Sequence, residues 1–426
     1  TLAYIYGFPM IKQWIQLSND LPDKAPINTM YYYSNLSTTI NGPFPGTNAD
    51  TLYATAWIDL TNTEILLSIP DTRDDNRWYT IQLLDIYSNT FKNLPGIYKN
   101  TTIKKYYLVG PNNIEKFNVA YVPDDVKIIK CPTNIVYLVS RTVVKGNSDL
   151  TNALQVVQNI TIESINPEAS AIEVGRLSNS ILTSLSFFDT MMTIMNYNAP
   201  PITEKVLIDQ FKTIGLDPST NNFNSGLLNT NLQNAFNAAI SLALDYIIPF
   251  GHQYVTGSVS SNNWVGSIKL GTYSDEYLRR AYTIYSGLAS NIPFEQNYLS
   301  TTKTGTGETL NCSTNNYKIH FEASALPQVN NLWGFWSITM YQFNSGITFY
   351  DNELNRYALG TNTNTLQFNL DGSLDIYIQH NSPASELVSN WLPAPAAPFL
   401  LIIRLYSATM NQIYNPNLPS VDPNNV

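Results

Sequence analysis

Short runs of apolar and aromatic residues, separated by turn residues, fill both ends of the chain. Residues 332–341, 373–378 and 399–406 are rich in β-branched and aromatic side chains, and Gly, Pro, Asn or Asp bounds each run. Asp371-Gly372, just before the second run, suits a tight hairpin because it tolerates positive φ. Similar runs recur between residues 30 and 140. Strands at such short intervals predict β-sandwiches rather than βαβ units.

The middle of the chain changes to a helical period. Apolar residues recur at helix spacing from Leu150 to Ile160 and from Ile181 to Met195, and Pro200-Pro201 ends one such stretch. We therefore predict a mixed, mainly β fold in one compact unit. It comprises an amino-terminal helix plus β-sandwich at 1–145, a helical region at 146–300 and a jelly-roll-like carboxy-terminal β-sandwich at 301–426.

Composition excludes some classes of partner. Charged residues make up 13% of the 426 residues, about half the usual share, so the predicted surface is polar but weakly ionic. A net charge of -9 argues against nucleic acid, because neutralising phosphates needs clustered Lys and Arg. No apolar segment approaches the roughly 20 residues that span a bilayer. We expect no membrane span.

Several features favour a secreted protein. The chain starts at Thr1 rather than Met, which a removed signal peptide would explain. Asn-X-Ser/Thr sequons occur at four candidate glycosylation positions, Asn35, Asn100, Asn159 and Asn311. The two cysteines, Cys131 and Cys312, form either one disulfide or two buried free thiols. We expect a secreted or cell- or particle-surface location, or the periplasm if the source is bacterial.

No metal or cofactor site is predicted. His252, His320 and His380 are isolated from one another and from both cysteines, and His320 alternates as a strand residue does. A structural histidine is therefore favoured over a ligand or a base. The acidic stretch from Asp71 to Asn76 fits no known calcium-loop spacing, so an exposed turn is expected there.

Two sets of segments resemble a two-part family of domains of unknown function. Residues 4–9, 48–53, 68–71, 79–85 and 140–142 are similar to its amino-terminal part, DUF1254, although residues 101–105 depart from it. Residues 335–341, 355–357, 371–374, 390–395 and 404–406 are similar to its carboxy-terminal part, DUF1214. The resemblance spans nearly the whole chain. It implies no activity, because the family has no agreed one.

The polar residues at these landmarks are the candidate site residues. Asp50, Asp85 and Arg141 are the candidates for catalysis, and the candidates for ligand binding are Asn48, Tyr53, Tyr79, Gln82, Arg356 and Arg404. Asp50 and Asp85 could act as acid and base, as in glycoside hydrolysis. Alternatively, Asp85 and Arg141 form a core ion pair. Arg404, inside an apolar strand, either faces a carboxylate such as Asp371 or Asp375 or binds an anion.

Two functional hypotheses remain open. The first is a non-catalytic extracellular or particle-surface building block that self-associates into a homo-oligomer or larger assembly. The second is a secreted or periplasmic hydrolase, or a carbohydrate- or small-ligand-binding protein, with its site between the two β domains. The second hypothesis predicts that several of the candidate residues converge on one pocket.

Overall fold

The structure is a computed structural model that describes residues 1–18, 24–39, 46–96, 101–117, 122–220, 222–251, 258–343 and 346–424. The predictions for Asn100 and His252 concern positions outside these ranges. The α-helices of the described residues are α1 (Leu2–Ser18), α2 (Leu150–Gln158), α3 (Ser186–Tyr197), α4 (Lys205–Lys212), α5 (Thr230–Ser241), α6 (Tyr277–Ser286) and α7 (Met410–Tyr414). A π-helical segment, Leu242–Ile247, continues α5. Short 3-10 helices occur at Asn147–Asp149, Asn179–Thr183, Ile202–Glu204, Ser225–Leu227, Ala323–Ala325 and Ser385–Asn390.

Most of the described strands lie toward the two ends of the chain. The first nine are β1 (Tyr31–Tyr32), β2 (Thr51–Asp59), β3 (Ile65–Ser68), β4 (Tyr79–Asp85), β5 (Thr90–Leu94), β6 (Lys105–Val109), β7 (Val126–Lys130), β8 (Ile135–Val143) and β9 (Thr161–Ser164). The remainder are β10 (Ser258–Ser261), β11 (Trp264–Ser267), β12 (Gln296–Thr301), β13 (Tyr317–Phe321), β14 (Phe335–Phe343), β15 (Ile347–Phe349), β16 (Ala358–Gly360), β17 (Leu374–Gln379), β18 (Trp391–Pro393), β19 (Phe399–Tyr406) and β20 (Asp422–Pro423). However, β9, β10, β11 and most of β12 fall within residues 146–300, which were predicted to be helical.

The amino-terminal strands form a sandwich of two sheets. One sheet has the order β1-β2-β8-β4-β5 and the other has the order β7-β6-β3-β9. Between them lies an apolar core that includes Leu52 and Ile58 of β2, Leu67 of β3 and Leu108 of β6. Alternate residues of each strand point into this core, which is the period of a β-strand.

The carboxy-terminal strands form a second pair of sheets. One has the order β10-β11-β12-β19-β14-β15, with β16 also paired to β14, and the other has the order β18-β17-β13-β20. Ile338 and Ile403 of the first sheet and Ile319 and Ile376 of the second lie in their shared core. The predicted mixed, mainly β fold with a helical middle region is confirmed.

The helical region forms a third core against the first sheet. Helix α1 packs beside α3 and α6, and it is buried around most of its circumference. It continues through Gly7 and Pro9 without a break. A Cβ at Gly7 would lie 2.6 Å from the Met191 sulfur, so glycine permits this close approach of α1 and α3.

Candidate functional site

The outer face of the first sheet is divided into an apolar half and a polar half. Tyr137 and Val139 of β8 lie in the helical core, whereas Arg141, two residues further along the same face, lies beyond the helices. Tyr53 of β2 and Thr80 of β4 flank Arg141 in register. The apolar half therefore packs on the helices, and the polar half faces the carboxy-terminal region.

A matching polar face belongs to the central strands of the carboxy-terminal sheet. Tyr298 of β12, Arg404 of β19 and Ser337 of β14 are side by side in register. Thr339 and Tyr341 follow Ser337 at alternate positions, so they share its face. We call the buried contact between the two faces the polar layer. It comprises Asp50, Tyr53, Gln82, Arg141, Tyr298, Ser337, Thr339, Tyr341, Arg404 and Tyr406.

Arg404 is held in the polar layer by neutral oxygen atoms. Its Nη1 donates to Thr339 Oγ1 at 2.9 Å, and its Nη2 donates to the Tyr341 hydroxyl at 2.8 Å and the Gly46 carbonyl at 3.2 Å. The prediction that Arg404 faces Asp371 or Asp375 is wrong. These two residues belong to the other carboxy-terminal sheet and its turn. There Asp375 lies 2.7 Å from the His320 ring.

Asp50 joins the two β regions directly. Its Oδ2 accepts hydrogen bonds from Ser337 Oγ at 2.5 Å and from the Tyr406 hydroxyl at 3.1 Å. Burial raises the pKa of Asp50 above its ordinary value, although the hydrogen bond from Ser337 and the charge of Arg404 oppose this effect. Asn48 Oδ1 accepts the main-chain N–H of Asp50 at 2.9 Å and so fixes the chain at this point.

Arg141 is also fastened by neutral groups. Its Nη1 donates to Gln82 Oε1 and its Nη2 to the Ala289 carbonyl, each at 2.8 Å, and its guanidinium lies 5.6 Å from the centre of the Tyr53 ring. The predicted ion pair with Asp85 is wrong. Arg141 is opposite Thr80, five residues along β4 from Asp85, which is about 17 Å at the rise of a strand.

The two candidate catalytic carboxylates lie at opposite ends of the sheet. Thr51, next to Asp50, pairs with Val143 on β8, whereas Asp85 pairs with Val136. Seven residues of strand separate these partners, or about 23 Å. Glycosidases need their two carboxyl groups about 5–10 Å apart, so Asp50 and Asp85 do not form an acid–base pair.

Asp85 belongs to a second buried cluster, which sequence reasoning missed. Arg280 of α6 is fully buried, and its three side-chain nitrogens have no hydrogen-bond partner among the described residues. The rings of Tyr6, Tyr277 and Tyr87 surround its guanidinium at 5.1, 5.4 and 5.9 Å, and Glu204 Oε1 is 3.9 Å away. We call this group the Arg280 cluster. Its one sequence signal was the rare basic pair Arg279-Arg280.

The carboxyl of Asp85 is unusual within this cluster. It accepts the main-chain N–H of Asn89 at 2.8 Å and the Asn89 side-chain amide at 3.1 Å. Burial raises the pKa of Asp85 to about 6, and the hydrogen bonds from Asn89 and the charge of Arg280 limit the rise.

Two other candidates donate hydrogen bonds to main-chain carbonyl groups. The Tyr79 hydroxyl donates to the Pro70 carbonyl at 2.7 Å inside the amino-terminal region. Arg356 Nη1 donates to the carbonyls of Trp391 and Val388 at 2.9 and 2.5 Å, which ties its loop to β18. Of the candidate residues, the structure brings Asn48, Asp50, Tyr53, Gln82, Arg141 and Arg404 together, and it places Tyr79, Asp85 and Arg356 elsewhere.

An open cleft of about 570 Å³ lies beside the polar layer, between the two β regions. We call it the interdomain cleft. Its walls come from residues 36–38, 49–50, 144–148, 354–360 and 362–365. Nine uncharged polar residues line it: Ser37, Thr38, Asn147, Ser148, Asn355, Asn362, Thr363, Asn364 and Thr365. Asp50 is the only carboxylate among the described residues that line the cleft.

The basic residues of the cleft walls are engaged elsewhere. Lys145 Nζ donates to the Asp75 carbonyl at 2.5 Å, and the Arg356 guanidinium is directed at the two carbonyls already described. Within the described ranges, no three His, Cys, Asp or Glu side chains are arranged to hold a metal ion. The cleft therefore offers mainly neutral donors and acceptors.

The remaining predicted features are distributed over the molecule. Cys131 and Cys312 are free thiols in different cores, and burial raises the pKa of each to about 12. Of the sequons, Asn35 and Asn159 are exposed, whereas Asn311 is half-buried and its Oδ1 accepts from Ser313. No described helix combines the length and the apolar character needed to cross a membrane.

Comparison with known families agrees with this two-part architecture. Residues 27–164 match the profile described as "Protein of unknown function (DUF1254)", and residues 295–410 match "Protein of unknown function (DUF1214)". The chain belongs to the DUF1254–DUF1214 family. The DUF1254 match covers the amino-terminal sandwich, and the DUF1214 match covers β12 and most of the carboxy-terminal strands. The polar layer thus joins the two parts of the family.

A solved structure has a similar fold over nearly the whole chain. The crystal structure of the VPA0106 protein from Vibrio parahaemolyticus matches 99% of this chain and 98% of its own, with a TM-score of 0.75 and 19% identity. At that identity, the likeness shows a shared fold alone. An uncharacterized protein from Burkholderia cenocepacia matches 97% of this chain and 87% of its own, with a TM-score of 0.46 and 10% identity. No curated protein sequence matches the chain.

Proposed function

We propose that this protein is a non-catalytic binding protein that holds a small, uncharged, hydroxyl-rich molecule in the interdomain cleft. The observation that carries the proposal is the cleft itself, whose described lining combines nine uncharged polar residues with a single carboxylate. Its volume of about 570 Å³ lies within the usual range for small-molecule sites. A polyol or a short saccharide offers the matching hydroxyl groups, so carbohydrate is the proposed ligand class.

Binding is favoured over hydrolysis because the described walls of the cleft hold no catalytic partner for Asp50. A glycosidase needs two carboxyl groups on the reacting bond, and Asp50 is the only one on the described walls. A serine hydrolase needs a histidine base beside its nucleophile, and no histidine is among these lining residues. The arginines of the polar layer donate to protein oxygen atoms, which indicates a structural role rather than an anion-binding one.

A thermal-shift screen tests this proposal. A ligand that binds the folded state raises the melting temperature, so a panel of neutral sugars and polyols is compared with sugar acids and sugar phosphates. The cleft variant is Asn364→Trp, which places a large side chain at an exposed wall position, and the matched control is Asn231→Trp on the exposed side of α5. A neutral ligand that stabilises the wild type and the control, but not Asn364→Trp, supports the proposal. Equal stabilisation of all three proteins, or no hit with neutral ligands, contradicts it.

A second candidate function is a secreted surface building block that self-associates. The observation that favours it is a set of exposed apolar side chains on the helical region, among them Ile202 at 82%, Leu227 at 84% and Tyr246 at 65% exposure. Exposed apolar groups of this size are typical of contact surfaces. The exposed sequons at Asn35 and Asn159 fit a glycosylated protein. Glycosylation is tested by the intact mass of protein secreted from a glycosylating host, measured before and after glycosidase treatment.

A further inference from the structure

The π-helical segment that follows α5, and the turn after it, carry an apolar stripe that no described element covers. Leu242, Tyr246 and Phe250 follow one another at intervals of four residues and are 47%, 65% and 50% exposed. Residues spaced by four lie on one side of an α-helix, and they stay close to one side in the wider π-helical turn that holds residues 242–247. The opposite side buries Phe236, Ile240 and, past the π-helical segment, Ile248 in the helical core. The exposed stripe is therefore additional to the apolar face that the fold requires.

A neighbouring helix extends the stripe into a patch. A Cβ at Gly251, next to Phe250, would lie 2.7 Å from the Cβ of Tyr282, so the end of the stripe contacts α6. Tyr285, one turn further along α6, is 49% exposed. We call Leu242, Tyr246, Phe250 and Tyr285 the helical patch.

The helical patch has the size that a pair of identical chains needs. An aromatic side chain carries about 150–250 Å² of surface, so three aromatic residues about half exposed and one leucine present about 400 Å². Two copies would bury about 800 Å² of apolar surface. Interfaces are about 57% apolar, which implies a total contact of about 1,400 Å². Stable dimers commonly bury about 1,200–2,000 Å².

Charge favours a second copy over a membrane as the partner. The helical patch contains no charged residue, and the exposed residue beside Tyr246 is the acidic Asp245. Helices that bind lipid surfaces flank their apolar face with Lys and Arg, because lipid headgroups are often anionic. A protein of net charge -9 is repelled by such a surface. Two uncharged patches can meet without flanking basic residues and without repulsion from an anionic lipid surface.

We infer that two copies of the chain associate through the helical patch about a two-fold axis. This inference rests on the proposed self-association and adds the surface and the symmetry of the contact. In a two-fold contact each residue near the axis meets its own copy, and Tyr246 is the central residue of the stripe. Tyr246 and Phe250 are the expected anchors, since buried aromatic residues dominate interface energies.

Sedimentation equilibrium of the full chain tests the inference with three variants. Tyr246→Lys places two positive charges at the axis and is expected to weaken the dimer at least 30-fold. Tyr246→Asp is expected to do the same, and an equimolar mixture of the two variants is expected to restore the dimer, because opposite charges then meet. Leu227→Lys is the matched control: it also replaces an exposed apolar residue, outside the helical patch, and is expected to leave the dimer unchanged.

The outcomes separate this inference from the proposal on which it rests. A wild-type protein that remains monomeric at high concentration contradicts both. A wild-type dimer that withstands Tyr246→Lys, or that Leu227→Lys disrupts instead, contradicts the helical patch but leaves self-association standing. A monomer that sediments with vesicles of neutral and anionic lipid, and is released by Tyr246→Lys, shows a lipid partner instead. Circular dichroism checks that each variant is folded, which is expected because the substituted side chains are exposed.

Discussion

The buried carboxyl of Asp85 gives the folded protein a pH dependence whose sign and size can be stated. Its pKa is about 6 in the folded state, against an ordinary value of 3.8. A group that binds its proton more tightly when folded favours the folded state at low pH. Its contribution is fully present below about pH 4, decreases as the pH rises toward 6 and is lost above that value. A shift of about two units corresponds to about 3 kcal/mol.

Asp85→Asn removes this titration while keeping a side-chain oxygen for the Asn89 main-chain N–H. The substitution sacrifices the hydrogen bond from the Asn89 side-chain amide, which costs about 1 kcal/mol. We therefore expect the variant to be more stable than the wild type by about 2 kcal/mol at pH 8, and less stable by about 1 kcal/mol at pH 4.

Urea unfolding followed by tryptophan fluorescence at pH 4, 5, 6, 7 and 8 measures this difference. Subtracting the wild-type free energy of unfolding from that of the variant cancels the other titrating groups. Asp124→Asn, in an exposed turn, is the matched control and is expected to give a small difference that is independent of pH. A difference for Asp85→Asn that stays constant across the range, or that grows more negative with rising pH, would refute the reasoning.

Further predictions concern the other buried groups. Arg404→Met leaves the oxygen atoms of Gly46, Thr339 and Tyr341 without a donor and Asp50 without its nearby cation, so urea unfolding is expected to show a loss of about 3–5 kcal/mol. Retention of wild-type stability would contradict the fastening role. Arg280→Met leaves Glu204 buried without a cation, so adding Glu204→Gln is expected to recover part of the loss; strictly additive losses in a double-mutant cycle would contradict the pairing. Gly7→Ala forces a Cβ against Met191 and is expected to lower stability by about 1–3 kcal/mol in the same assay, whereas an unchanged value would show that α1 and α3 can separate freely.

Local patterns predicted the architecture because they depend on neighbouring residues. The aromatic and β-branched runs at 335–341 and 399–406 became β14 and β19, and Gly372 adopts the positive φ of the predicted turn. The residues before that turn, 366–368, are not a strand. Asparagine is abundant in residues 222–234, a composition typical of loops, yet α5 begins at Thr230. Asn229 accepts the Leu232 N–H at 3.0 Å, so asparagine starts the helix there.

Which residues meet in the polar layer depends on how distant strands align, and one sequence does not reveal that alignment. Asp50 reaches Ser337 across 287 positions, and the hydrogen bond from Arg404 to Thr339 depends on the register of β14 against β19. One signal was present in the sequence. Ser337, Thr339 and Tyr341 alternate with apolar residues in β14, which marks a strand with one polar face. The sequence predictions assigned carboxylate partners to Arg141 and Arg404. Their hydrogen bonds instead go to amide, carbonyl and hydroxyl oxygen atoms.

The polar layer has a consequence for how the molecule can be divided. Cutting the chain between the DUF1254 and DUF1214 portions would leave the Asp50 carboxyl without the hydroxyls of Ser337 and Tyr406, and Arg404 without the Gly46 carbonyl. These groups lie on opposite sides of the cut, so neither fragment contains both partners. Neither portion is an autonomous module in this sense. Each portion excludes water from the polar groups of the other, so the two are expected to unfold as one cooperative unit with a hydrophilic interface.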